Sequence, residues 1–369
     1  MKLSTLNQSS SKSAPLRVGV LGQGRSGWHI HAHLIRQLPE LFTLAAVADP
    51  LRARREEAIQ ATGCAAHTDY RDLLRRKDLD LVVNALSSDL HFSVSREALL
   101  AGHAVLCEKP LAHRAKDADG LIGLAKKRKL FFAVFQQSRF APYFRKVREV
   151  LDSGVLGRAV MVKIAFNGFA RRWDWQTLQE KMAGNLLNTG PHPLDQALQF
   201  FGTDTMPKVL CLMDRANTFG NAEDHVKVIL HGKGHPTVDL EISSCCAYPQ
   251  YTYQVYGTRG GLTGSQVRAE WKYYLPSETP KQRLIRGPMP GRAYCGEPLK
   301  WHTGLWEATE EEKSLFDYMG LRFYRNLHAA LTKGTPLEVP PEQVRQQVAV
   351  IEECHRQCPL PKKVARPGR

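Results

Sequence analysis

Three groups of residues in this chain could do chemistry together. The first is Gly22-Gln23-Gly24-Arg25-Ser26-Gly27, a G-x-G-x-x-G spacing. Gly22 suits a tight turn, Gly24 a close backbone approach to a pyrophosphate, and Gly27 tight packing of helix on strand. Arg25 and Ser26 lie in the same loop and are ligand candidates with it. The second is Asp49, about twenty residues on, where an acid can accept hydrogen bonds from ribose hydroxyls. The third is Glu108-Lys109-Pro110, directly after an apolar run. A lysine partly withdrawn from water gives up its proton more easily and can act in acid–base chemistry. In an ordinary turn the same lysine would be solvated surface charge.

These groups need elements that bring them to one edge. Residues 17–21 read as a buried strand. A helix follows, with Ile30, Leu34, Ile35 and Leu38 on one face until Pro39 stops it, and then a strand over 42–48. The alternation continues with a helix over 51–61, a strand near Ala65, a strand over 79–86 and a helix over 92–101. A strand over 103–107, a helix over 115–127 and a strand over 130–135 complete it. Continuous apolar strands alternating with helices predict a doubly wound parallel sheet, the Rossmann type of α/β fold. Ligands of such sheets bind beyond the carboxyl ends of the strands. That rule adds Ser87, Gln137 and Arg139 to the glycine loop, Asp49 and Lys109 as residues facing one crevice.

From residue 142 the pattern changes. A helix to residue 152 leads into half-polar strands, such as Val238, Leu240 and Ile242 alternating with Asp239 and Glu241. Such strands predict a mainly antiparallel open sheet, packed on one face and exposed or used for association on the other. Residues 275–305, rich in Pro and Gly, read as a long loop, and helices over 310–331 and 341–358 close the chain. The expected organisation is a disordered tail over 1–15, a cofactor-binding domain over 16–136 and an α+β domain over 137–369.

At 369 residues, two domains are the natural expectation. No apolar run is long enough to cross a bilayer, so no membrane partner is expected. The polar, serine-rich start lacks the apolar centre of a secretory signal. Eight cysteines without C-x-x-C or regular spacing read as reduced thiols, which makes a cytoplasmic location the expectation. The formal charge of +15 is scattered in short groups without interleaved aromatics, so nucleic acid is not an expected partner. That field would instead attract anionic cofactors or substrates. His29, His31 and His33 alternate within a predicted helix and do not share a face, so no metal is expected.

The glycine loop, Asp49, His91 and Glu108-Lys109-Pro110, in this order, resemble the Gfo/Idh/MocA oxidoreductases, which include glucose–fructose oxidoreductase and inositol dehydrogenase. The resemblance continues at Asn188-Thr189-Gly190-Pro191-His192-Pro193-Leu194-Asp195. It implies a bound NAD(P) and a second domain whose sheet carries oligomer contacts, as in a dimer or tetramer. It also implies hydride transfer at a carbinol carbon, with the Lys109 and His192 positions handling the hydroxyl proton. His91 and Glu108 are included in the implied cofactor site. Trp175 stands where relatives often place a Trp near the nicotinamide. The chain departs from the resemblance at Asn188, where an Asp is frequent. An Asn can donate and accept hydrogen bonds but cannot take a proton, so Asn188 is expected to position substrate. Asp195 is expected to cap or pair.

Asp49 favours NAD, while Arg52, Arg54 and Arg55 leave NADP as the alternative cofactor. Arg171-Arg172-Trp173-Asp174-Trp175-Gln176 combines ring faces with polar groups; Trp173 is either a sugar-stacking face or a core residue. Lys109, Arg139, Trp173, Asn188 and His192 are the expected substrate contacts. The resulting expectation is an NAD(P)-dependent dehydrogenase acting on a ring hydroxyl of a sugar, glycoside or polyol. Two other activities remain open: a glycosidase working by transient oxidation and elimination, and a cofactor-binding regulator without turnover.

Overall fold

A computed structural model describes residues 14–289, 291 and 293–362. Residues 1–13 of the expected tail and residues 363–369 of the basic end lie outside the described residues.

The first layer is built as the alternation predicts. Strands β1 (Leu16–Leu21), β2 (Phe42–Ala48), β3 (Ala65–His67), β4 (Leu81–Asn84), β5 (Val105–Cys107) and β6 (Phe132–Val134) form one six-stranded sheet. Its order is β3-β2-β1-β4-β5-β6, and every pair is parallel. The connecting helices are α1 (His33–Gln37), α2 (Arg52–Thr62), α3 (Tyr70–Leu74), α4 (His91–Ala101) and α5 (Ala115–Arg128). The order reverses between β1 and β4, which places the crevice beside the glycine loop. The segment after that loop is not one α-helix: residues Gly27–Ala32 form a π-turn before α1 begins.

The second layer is an eight-stranded sheet of β7 (Ala159–Asn167), β8 (Lys208–Asp214), β9 (His225–His231), β10 (Thr237–Ser243), β11 (Tyr253–Gly257), β12 (Gly260–Gly264), β13 (Arg268–Tyr273) and β14 (His302–Glu307). Its order is β14-β13-β12-β11-β7-β10-β9-β8, antiparallel except for the β7–β10 pair. Helices α6 (Pro142–Asp152), α7 (Asn185–Asn188) and α8 (Pro191–Phe201) accompany it, and Val162, Ile164, Leu240 and Tyr253 fill the core beneath. The region expected as a loop to residue 305 ends in β14, whose side chains alternate between half-buried and exposed.

The terminal helix expected from residue 310 breaks at Ser314, giving α9 (Glu310–Lys313) and α10 (Leu315–Lys333); α11 (Pro341–Gln357) follows. Thr309 caps α9 through a reciprocal box with Glu312, which fixes its start. The last two helices are shared between the layers. Phe323, Tyr324, Leu327, Val344 and Val348 join the core of the first sheet, while Val350, Ile351 and Cys354 join that of the second. The chain therefore returns at its end to lock the two layers together.

Candidate active site

The glycine loop has the shape that its sequence implies. Gly22 has a φ of +82° and sits so close to Ala85 that a Cβ would lie 2.8 Å from its carbonyl oxygen. At Gly27 a Cβ would lie 1.7 Å from the Gly22 oxygen, so helix and loop touch backbone to backbone. A Cβ at Gly24 meets only the Arg54 guanidinium, at 3.9 Å. Gly24 therefore presents open backbone, the cradle a pyrophosphate needs. Arg25 is exposed, and the Ser26 hydroxyl makes no capping bond to the turn that follows.

Asp49 is buried at the end of β2 and ties this loop down. Its Oδ2 accepts the Gln23 N–H at 2.8 Å and Arg54 Nη1 at 3.3 Å, and its Oδ1 accepts the Leu51 N–H at 2.9 Å. A carboxylate offers about four acceptor directions, which leaves one for a ribose hydroxyl. The donor set and the open cradle fit a dinucleotide.

At the end of β5, Glu108 is buried and Lys109 half-buried. The ammonium of Lys109 donates to the Asn188 carbonyl oxygen at 2.8 Å, across the two layers. Burial draws its pKa below the ordinary lysine value, partly offset by the Glu108 charge and reinforced by Arg25. His192 stands in the first turn of α8. Its Nδ1 is buried without a partner, and burial together with the Lys109 charge pushes its pKa down to about 3. A neutral imidazole beside a proton-releasing lysine can accept or return a proton.

The start of α8 is built rigidly. A Cβ at Gly190 would lie 2.2 Å from the Leu186 oxygen, so only glycine lets α7 and α8 meet. Gln136 Nε2 donates to the Pro191 oxygen at 2.6 Å, and Gln347 Nε2 donates to the same oxygen. The Asn188 amide donates to Gln176 Oε1 at 3.3 Å, and Arg172 donates to that same oxygen. Lys181 pairs with Asp89 at 3.2 Å, a further link from the second layer to the rim of the first.

Several expected ligands fall elsewhere. Arg139 does not reach substrate: it is buried in a two-pronged pair with Asp195, at 2.7 and 2.6 Å. Its remaining nitrogen donates to the Glu338 carbonyl and to Gln343, so four of its five donors are spent inside the protein. The expectation that Asp195 pairs fits this geometry. His91 is buried rather than open to a cofactor; its Nδ1 lies 2.8 Å from the Pro110 oxygen and its Nε2 3.1 Å from the Leu86 oxygen. It braces the Lys109 turn against the loop after β4. Glu108 is likewise spent internally, on His31 and on the Lys109 N–H. Gln137 is buried with its Oε1 unpartnered, and Ser87 is half-buried at the start of a short 3-10 turn.

Trp173 is 78% exposed and Trp175 44%, so neither is a core residue. Trp173 meets Phe219 edge-on at 6.3 Å, and the Arg171 guanidinium lies over the Phe219 ring. Phe219, missed in the sequence, adds a ring to this rim; it is distant in sequence and carries no motif. His31, read only as one of three alternating histidines, was missed too. It is fully buried against Glu108.

A six-stranded Rossmann sheet, a dinucleotide cradle and a lysine–histidine pair define an NAD-binding oxidoreductase. Residues 16–136 match the oxidoreductase family's NAD-binding Rossmann fold, and residues 144–263 match the Gfo/Idh/MocA C-terminal domain. The chain belongs to the Gfo/Idh/MocA family. It is 27% identical over 366 residues to an uncharacterized oxidoreductase of Schizosaccharomyces pombe, covering 93% of this chain and 96% of that one. It is 23% identical to scyllo-inositol 2-dehydrogenase (NADP(+)) IolW of Bacillus subtilis, covering 94% and 95% of the two chains. The WlbA dehydrogenase of Bordetella pertussis, solved with NADH and UDP-GlcNAcA, superposes with a TM-score of 0.76 at 20% identity, covering 94% and 96%. Among the described residues, no group of side chains could hold a metal ion and no helix is long and apolar enough to cross a membrane.

Proposed function

We propose that this chain is an NAD-dependent dehydrogenase acting on a secondary alcohol of a sugar, glycoside or polyol, with NADP as the alternative cofactor. The observation that carries the reading is Lys109 held against the Asn188 carbonyl with the partnerless nitrogen of His192 nearby. Gly22, Gly24, Arg25, Ser26 and Gly27 would hold the pyrophosphate, and Asp49 the adenosine ribose. Ser87, Gln137 and Trp175 would line the nicotinamide end. Bound NAD supplies a hydride acceptor. Lys109 and His192 take the hydroxyl proton as the carbinol is oxidised and return it in reduction. Both groups are shifted toward their neutral forms; Lys109 is the stronger base of the two, and the His192 imidazole is a weaker acceptor beside it.

A carbohydrate is favoured by the exposed rings of Trp173 and Phe219 beside Arg171, Arg172 and Asn188: rings cover C–H faces while the polar groups bond hydroxyls. The inositol dehydrogenase among the relatives supports a polyol or sugar as well. Exposed Val160, Leu210, Leu212, Tyr256 and Leu305 on the second sheet support a homo-oligomer through that face. A cytoplasmic site of action fits the reduced cysteines.

The test is nicotinamide absorbance with NAD and then NADP against free sugars, polyols and glycosides, with product chromatography alongside. NADH growth with one carbohydrate class is expected. Glycoside cleavage without NADH would replace the dehydrogenase with redox-assisted hydrolysis. Bound cofactor with neither product would leave a regulator.

A further inference from the structure

His31 is a fully buried ionisable group near the site, and the proposed chemistry does not use it. It reaches the site because Gly27–Ala32 is a π-turn, a wider turn often found at functional positions. Trp28, His31 and Ala32 are all buried from this turn, whereas His29 is exposed and His33 pairs with Asp317 at the surface.

The His31 ring bridges two distant parts of the chain. Its Nε2 lies 3.2 Å from Glu108 Oε1, and its Nδ1 lies 2.7 Å from the Tyr324 hydroxyl on α10. Phe135 packs on the imidazole with centroids 4.6 Å apart, and Phe42 meets Tyr324 edge-on at 5.3 Å. The setting is apolar, so each polar atom in it needs a partner. A neutral imidazole satisfies both contacts in one way: Nε2–H donates to Glu108 while Nδ1 accepts the Tyr324 O–H. The other Glu108 oxygen accepts the Lys109 N–H at 3.0 Å. The charged and titratable groups around Glu108 and Lys109 are His31, Arg25, Cys107 from β5, His91 from α4, His192 from α8 and Tyr324 from α10.

We propose that His31 and Tyr324 are positioning residues for Lys109: they hold Glu108 as an anion beside the lysine and so govern how readily it gives up its proton. The inference rests on Lys109 as the proton-handling group. Burial alone pushes the Glu108 carboxyl up, but the His31 hydrogen bond, helped by the Lys109 charge, brings it down to about 2. Without the His31 donor a buried carboxylate is left short of partners and takes up a proton. Lys109 then loses the neighbouring anion that favours its ammonium form, and its own pKa falls. Tyr324, the last member, comes from α10, so a helix nearly three hundred residues further along the chain sets the chemistry of the cofactor crevice.

The test needs no substrate. Full-length protein is labelled with acetic anhydride across a pH series, and Lys109 acetylation is quantified by peptide mass spectrometry. Glu108→Gln and His31→Leu are each expected to lower the Lys109 midpoint by about one unit or more, roughly a tenfold rise in labelling at a fixed pH below it. The double variant should match Glu108→Gln alone. His31→Gln, which keeps a donor, should restore most of the wild-type midpoint. Tyr324→Phe should shift it the same way by less, and it serves if His31→Leu does not fold. A Lys109 midpoint that is unchanged in both the His31 and Tyr324 variants overturns the proposal, including when Glu108→Gln alone moves it. If the midpoint shifts as expected while Lys109→Ala retains turnover, the positioning stands and the proton role of Lys109 falls.

Discussion

The two walls of the crevice are made differently. On the cofactor wall, the glycine loop, Asp49, Glu108 and His91 are packed backbone to backbone or already hydrogen-bonded before any ligand enters. On the substrate wall, Trp173 and Trp175 stand exposed on one connecting segment and Phe219 on another, and the two segments are tied by bonds such as the Phe219 N–H to the Arg172 carbonyl. Prebuilt contacts suit a ligand that never varies, because little ordering remains to be done on binding. An exposed aromatic rim can be changed without disturbing a core, so it is where substrate choice can differ among proteins of one fold. Under the proposed dehydrogenase reading, the fold would fix the redox partner and the rim would select what is oxidised.

The sharpest way to break this comparison is at the point where the walls meet. Lys109→Ala is expected to lower kcat by about two to four orders of magnitude, with NADH binding by fluorescence titration nearly unchanged. Retained turnover would remove the lysine from the chemistry. Arg139→Ala comes next, and it should act on stability rather than on substrate. It strands Asp195 as a buried unpaired charge, at a cost of about 3–5 kcal/mol in chemical unfolding. A KM effect with normal stability would return Arg139 to the substrate site.

Glu223 probes the buried footing of the substrate wall. Its Oε1 accepts the Leu186 N–H of α7 at 3.0 Å, and burial, with Asp224 adding to it, pushes its carboxyl up to about 7. Because the folded state holds this proton more tightly than the unfolded chain, its contribution is present at low pH. It is lost as pH rises from the unfolded carboxyl range through about 7. Glu223→Gln keeps the acceptor and removes the titration. Its Tm should exceed that of the wild type at pH 8 and approach it near pH 5; parallel curves would count against a raised carboxyl. The smallest effect is expected at the rim. Trp173→Ala should raise KM for the carbohydrate several-fold, with NAD affinity and Tm unchanged. A drop in Tm would mean that the ring is structural.

Much of the cofactor wall was legible because its signals are local. Gly22, Gly24 and Gly27 sit within six residues, and the turn they form follows from backbone sterics alone. The strand–helix alternation similarly gave the parallel sheet, and the half-polar pattern of β9 and β10 gave the second one. Arg139 misled because its position after β6 predicts a crevice residue. Its partner Asp195 belongs to another layer, and no pattern in the sequence announces the pair. His91 and Glu108 were placed rightly at strand ends, but their polar atoms are consumed by carbonyls and by His31.

The sequence by itself determined the doubly wound sheet, the dinucleotide cradle and the lysine at the strand end, since each depends on residues close together in the chain. Only the tertiary structure decided which polar groups stay free for ligands. Burial drives most donors and acceptors to find a partner, and those partners come from anywhere in the chain. The return of α10 and α11 across both cores brings Tyr324 to His31 and Gln347 to Pro191, contacts that no local rule specifies.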